Sequence, residues 1–234
     1  YCLTVSELAL NSLTTLSMNA AIALAKYKGG KLYLRGLKTI TVATAEVLAA
    51  FQHTLDLNGL TTLSAAAATA LAKHSGGIHL DGLTTLSDGV FAELAIHDGL
   101  LSLDGLTKLS NGAAQALSKH KGHLSLNGIK SMSSASVELL AKHKGSLSLV
   151  GLATLTDAAA ASLVKHSGTG DKHSDAGLFL IGRTTIPSTI AAALPRPPGE
   201  HSLNYWYIRQ DATSEAFFKR ALATSFYKSR LAII

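Results

Sequence analysis

Residues 124–146 read LSLNGIKSMSSASVELLAKHKGS, and this stretch decides the fold. Two periods lie inside it. Leu124-Ser125-Leu126 alternates apolar and polar residues, the mark of a short strand with one face buried. After Ser133 the spacing changes: Ser136, Val137 and Leu140 fall three, four and seven positions on, along one face of a helix. Ser133 itself stands where a helix N-cap is wanted, with a hydroxyl that can accept from an otherwise unpaired amide. Lys142-His143-Lys144-Gly145 closes the stretch. Lysine suits the negative end of a helix, and glycine suits the left-handed residue that often ends one. The stretch therefore reads as strand, turn, short extended segment, short helix, turn.

Gly128 belongs to a series. Gly36, Gly59, Gly82, Gly105, Gly128 and Gly151 stand 23 residues apart, which means a stack of like structural units. Units beginning at Ile78, Leu101, Leu124 and Leu147 keep this register without gaps, and the unit at Leu55 fits with substitutions. Those at Leu8 and Leu32 fit too, although the step from Ser12 to Gly36 is 24 because of the extra glycine in Gly29-Gly30. Ser17, Thr41, Ser64, Ser87, Ser110 and Thr156 fill the slot of Ser133. One such unit buries too little apolar surface to offset the ordering of its own backbone. Stacking closes the deficit. Like units pair their strands into a parallel sheet with helices on the opposite face, and a crossover repeated in one hand gives a right-handed coil. The expected class is thus an α/β solenoid.

At this point the chain resembles the leucine-rich-repeat family, over about residues 6–168 and weakly to 194. The Leu-x-Leu strand, the fixed period and a helix in each unit carry the likeness, which is closest to the short 23-residue type of bacterial surface proteins. The chain departs from the common pattern in lacking an invariant Asn after the strand, where Gly-Leu/Ile-x-x-Leu follows instead. The resemblance implies a curved scaffold that binds proteins or other macromolecules rather than a catalyst, in a protein that could be exported or held at the cell surface.

The pattern divides the chain into three parts: seven leucine-rich-like repeats over 1–168, a degenerate last repeat with an insertion over 169–194, and a Pro-rich linker with a C-terminal cap or disordered tail over 195–234. Leu8 already reads as strand with no capping segment before it, so further repeats or domains are expected on the N-terminal side. From Gly151 to Gly182 the step is 31, one period plus eight residues. Eight of the 13 aromatics lie from Phe179 onward, a sharp shift in composition. A cap over the last strand edge is what a solenoid needs. A docking helix for a partner or membrane is the alternative.

Charge and composition exclude several classes. Residues 1–170 hold 13 Lys/Arg and 10 Asp/Glu, a balance of +3, within a chain of +6. That mild bias is no nucleic-acid footprint. Cys2 is the sole cysteine, which rules out a disulfide framework and thiolate metal sites. No apolar run reaches the ~20 residues of a transmembrane helix. No nucleophile elbow, phosphate-cradling loop or paired metal-ligand motif is present, so neither an enzyme nor a cofactor is expected.

The repeat places like residues in columns. His74, His97, His120, His143 and His166 form one, continuous with Tyr27 and Phe51. It could share a metal or respond to pH, but a slot that accepts any planar ring at a helix C-terminus reads first as packing. Lys26, Lys73, Lys119, Lys142 and Lys165 form a cationic column, interrupted at Ala50 and Ile96, that reads as a solvated stripe. On the strand face, Ala9, Tyr33, Asp56, His79, Ser102, Ser125 and Ser148 lie between the leucines, followed by Asn11, Arg35, Asn58, Asp81, Asp104, Asn127 and Val150. Aromatic and Arg anchors concentrate binding energy. The candidate partner-binding residues are therefore Tyr33, Arg35, Asp56, His79, Asp81 and Asp104, while the serines at 102, 125 and 148 read as filler. A structural spacer within a larger protein is the competing reading.

Overall fold

Leu-x-Leu segments become short strands and the capped segments become single-stack helices in the computed structural model, which describes residues 7–164 and 178–179. The order is β1 (Glu7–Ala9), α1 (Met18–Ala25), β2 (Lys31–Tyr33), α2 (Val42–Leu48), β3 (Thr54–Asp56), α3 (Ala65–Leu71), β4 (Ile78–His79), α4 (Asp88–Leu94), β5 (Leu101–Ser102), α5 (Asn111–Leu117), β6 (Leu124–Ser125), α6 (Ser134–Leu140), β7 (Leu147–Ser148), α7 (Asp157–Val164) and β8 (Leu178–Phe179). Each strand and the helix after it form one unit, numbered with them. The eight strands make one parallel sheet in chain order. Each helix packs on the next, so the helices form a second layer.

Register follows the sequence period. Leu55 pairs with Ile78, Ile78 with Leu101, Leu101 with Leu124 and Leu124 with Leu147. The 24-residue step is absorbed before β2: Leu8 pairs with Leu32, and Leu32 with Leu55. Leu178 pairs with Leu147 across the 31-residue step. The core lies between the layers. Leu101, Leu103 and Leu106 from the strand side meet Ala113, Ala114 and Leu117 from α5, all at most 1% exposed. Six of the N-caps, Ser17, Thr41, Ser64, Ser87, Ser110 and Ser133, accept from the amide three residues on, and Thr156 does the same for Ala159.

The glycines do other work than the left-handed turn expected of them. The helix C-caps are right-handed residues, such as Ala72, Ala95 and Ala141. What Gly99, Gly122 and Gly145 supply is room: a Cβ there would strike the backbone carbonyl of Gly76, Gly99 and Gly122 in the preceding unit. The second series behaves alike. A Cβ at Gly105 would run into the Asp81 and Leu83 carbonyls, and one at Gly128 into those of Asp104 and Leu106.

Apart from the Leu178–Phe179 strand, the expected insertion and last repeat over 169–194 lie outside the described residues, as do the linker and cap over 195–234 and the columns' ends at Lys165 and His166. Among the described residues, no helix is long and apolar enough to cross a membrane.

Two substitutions separate steric need from conformational entropy. Gly105→Ala has backbone on the side its methyl must enter, and urea denaturation is expected to show a loss of about 2–3 kcal/mol. Gly89→Ala lies in α4 with only the Ser87 hydroxyl near, and a gain of about 0.5–1 kcal/mol is expected from the stiffer unfolded chain.

Candidate interaction face

Strand alternation sends every second side chain away from the helices, so residues 31, 33 and 35 of unit 2 line up across the outer sheet face. The structure brings Tyr33, Arg35 and Asp56 together there. The Arg35 guanidinium lies 4.9 Å from the Tyr33 ring centre, and Lys31 Nζ lies 5.5 Å from it. Arg35 donates from Nε and Nη2 to one oxygen of Asp56, at 3.0 and 2.7 Å. The other Asp56 oxygen accepts from the Asn58 amide at 3.1 Å. Asp56 is 3% exposed, whereas half of the Arg35 side chain faces solvent. A covered carboxylate thus holds an exposed cation, and hydrogen bonding to Asp56 raises the Arg35 pKa further above its ordinary value. Lys31 joins the cluster without being a candidate from sequence. Its signal is the same period-two spacing, read two residues further back.

Farther along the sheet the face turns inward on itself. Ser102, Ser125 and Ser148 are 4%, 8% and 7% exposed rather than outward-facing filler. Each hydroxyl donates to the residue 21 positions earlier: Ser102 to Asp81 at 2.5 Å, Ser125 to Asp104 and Ser148 to Asn127 at 2.7 Å. The same side chains of Asp81, Asp104 and Asn127 take the backbone amides of Asp104, Asn127 and Val150 at 3.0, 2.8 and 2.9 Å. Asn58 accepts likewise from the Asp81 amide at 2.8 Å, and at the N-terminal end Asn11 accepts from the Arg35 amide at 3.4 Å. A parallel strand ends with amides its neighbour's backbone does not reach, and these acceptors meet them. Asp81 and Asp104 are half-buried in this ladder. His79 is half-buried in register with Asp56.

The serine protons go to carboxylates or an amide oxygen, so the geometry differs from that of a nucleophile whose proton passes to an imidazole. His123, one strand position before Leu124, has its pKa lowered by burial, against a smaller upward pull from Asp104.

The histidine column is a stack. From Tyr27 through Phe51, His74, His97 and His120 to His143, ring centres lie 5.7–6.3 Å apart and adjacent planes are within 22° of parallel. Ring nitrogens point along their own planes, so neighbours in such a stack direct their lone pairs side by side, not toward a shared point. Among the described residues, no group of three His, Cys, Asp or Glu is placed to hold a metal ion. Lys26, Lys73, Lys119 and Lys142 are exposed beside the stack.

No family model matches the sequence, and no curated protein matches it.

The ladder makes its own prediction. Asp104→Ala leaves the Ser125 hydroxyl and the Asn127 amide without their acceptor. Leaving such half-buried donors unpaired is expected to cost about 2–3 kcal/mol in denaturant unfolding, while Thr107→Ala, on the exposed turn of the same unit, stays within ~0.5 kcal/mol.

Proposed function

We propose that this chain is a repeat scaffold that binds a protein segment through the outer sheet face of units 2–4, acting by recognition and needing no cofactor or metal. The observation that carries this reading is the Lys31–Tyr33–Arg35 cluster pinned by Asp56. Binding loses affinity when side chains must be ordered first, and here the aromatic ring and the guanidinium are already held. Tyr and Arg are also the residues in which interface energy concentrates. Because the Asp56 charge is spent on Arg35, the cluster presents Lys31 and the free side of the guanidinium. It suits a segment with a carboxylate and an apolar or aromatic neighbour. His79 and Asp81 flank it as a rim, and Asp104 lies one unit beyond, in the ladder of unit 5. The likeness to leucine-rich repeats supports the same class of function.

A spacer is the second reading. It is favoured by units 5–7, whose strand face is a ladder of serines and Asx residues with their polar groups turned on one another.

A peptide library displayed on phage separates the two. Panning on the wild-type chain, with counter-selection on Tyr33→Ala/Arg35→Gln, is expected to enrich acidic-aromatic sequences. Their affinity should fall at least tenfold in the double variant, whose glutamine still offers Asp56 a donor. Enrichment indifferent to the patch, with the variant's melting temperature unchanged, would favour the spacer.

A further inference from the structure

The ring column changes character along the stack. Units 1 and 2 fill it with Tyr27 and Phe51, which take no proton in weak acid. Units 3–6 fill it with His74, His97, His120 and His143, each at most 3% exposed. His74 Nε2 meets the His53 carbonyl at 2.7 Å and His143 Nε2 the Gly122 carbonyl at 3.1 Å. Among the described residues, no ring nitrogen of His97 or His120 has a partner in good hydrogen-bond geometry. The nearby carbonyls of Leu100 and His74, and of His123, His97 and Gly99, pull upward on the two rings less than burial pulls down. A buried imidazole in that state tolerates neutrality poorly and a positive charge worse.

The charges around the column give a proton no welcome. Lys73, Lys119 and Lys142 precede its histidines on the helix side, and Lys121 and Lys144 lie on the following loops. Asp98 is the carboxylate acting on His97, but its side chain is 76% exposed and shared with Lys121 at 3.8 Å. The His53 ring sits edge-on to Phe51, at the neutral end. His123 lies on the strand side near His120 with Asp104 beside it. Around His120 the acting charge is His97 itself, 6.0 Å away between ring centres.

We propose that the four stacked histidines are an acid-sensitive latch: in weakly acidic solution units 3–6 open as a block, while units 1 and 2, closed by Tyr27 and Phe51, keep their structure. Burial lowers His74, His97 and His120, the last to about 4, with the neighbouring imidazole adding to the effect in the last two. An unfolded histidine titrates near ~6.5. Between these values the open chain binds more protons than the closed one. The latch is therefore at full strength above about pH 6.5 and weakens as pH falls toward 4. Direct contact between like units makes the opening cooperative, since each imidazolium repels the next. Asp56, His79 and Asp81 lie in the opening block. If the interaction reading above holds, a bound segment is released in acid; the latch itself does not depend on that reading.

Amide hydrogen exchange at pH 7.5 and 5.5, corrected for intrinsic rates, tests this without a partner. Carboxylates remain largely ionised over that range. Protection in residues 65–143 is expected to fall at least tenfold more than in residues 18–48. His97→Phe/His120→Phe, which extends the Phe51 ring type into two further slots of the column and leaves only His74 and His143, is expected to shrink the difference. Equal loss in both regions, or an unchanged difference in the double variant, would overturn the latch. Should that variant not fold, imidazole resonances of the wild-type chain decide. Titration of all four near ~6.5 with the chain still folded refutes the proposal, and midpoints shifted lower, coincident with opening of units 3–6, support it.

Discussion

Bare glycine Cα positions set against the carbonyls of the preceding unit are the constraint on which this stack depends. Two such lines run through it, one at the turn after each strand and one before the next strand, as at Gly105 and Gly99. They let successive backbones close to strand-pairing distance at both edges of the sheet. Leucines then register on leucines and the helices meet in sequence. A side chain at Gly99 or Gly105 would run into backbone of the preceding unit, and a solenoid has no distant contacts to compensate, because each unit touches only its neighbours. The second line admits a side chain at His53, where β2 and β3 still pair.

Close spacing turns every repeated position into a column, and each column must be chemically compatible with itself at about 5–6 Å. Leucine columns satisfy this by burial. The Asp81, Asp104 and Asn127 column does so by passing hydrogen bonds forward, each side chain capping an amide and holding a hydroxyl of the next unit. Carboxylates in successive units are tolerated because each faces donors. The ring column satisfies it by stacking neutral planes, and neutrality there depends on pH. Polar groups turned toward neighbours are spent on the fold. At the N-terminal end the column is broken by Arg35, the following Asp56 is drawn to it, and Tyr33 with Lys31 gathers around the cation. The departure from regularity leaves exposed chemistry where the regular units leave little.

How much of this the residues disclose differs by level. The class, the strand and helix positions, the N-caps and the buried set at Ala113, Ala114 and Leu117 were all legible, because period two, period 3.6 and period 23 each report a local or nearest-neighbour fact. Tyr33, Arg35 and Asp56 could be named as neighbours on one face. Their grip on one another could not, because 33 to 56 is a full unit and side-chain direction across strands is set only when the strands pair.

The same limit explains the serines and the glycines. Ser102, Ser125 and Ser148 look idle in one dimension, since their acceptors lie 21 residues back, and Gly145 looks like a helix terminator, since the carbonyl it admits belongs to the preceding unit. The sequence by itself determined a stack of strand–helix units and which residue types share a column. The tertiary structure alone decided which polar groups are spent inside that stack and which remain outside, because hydrogen bonds and close approaches between units exist only once neighbouring backbones are in register.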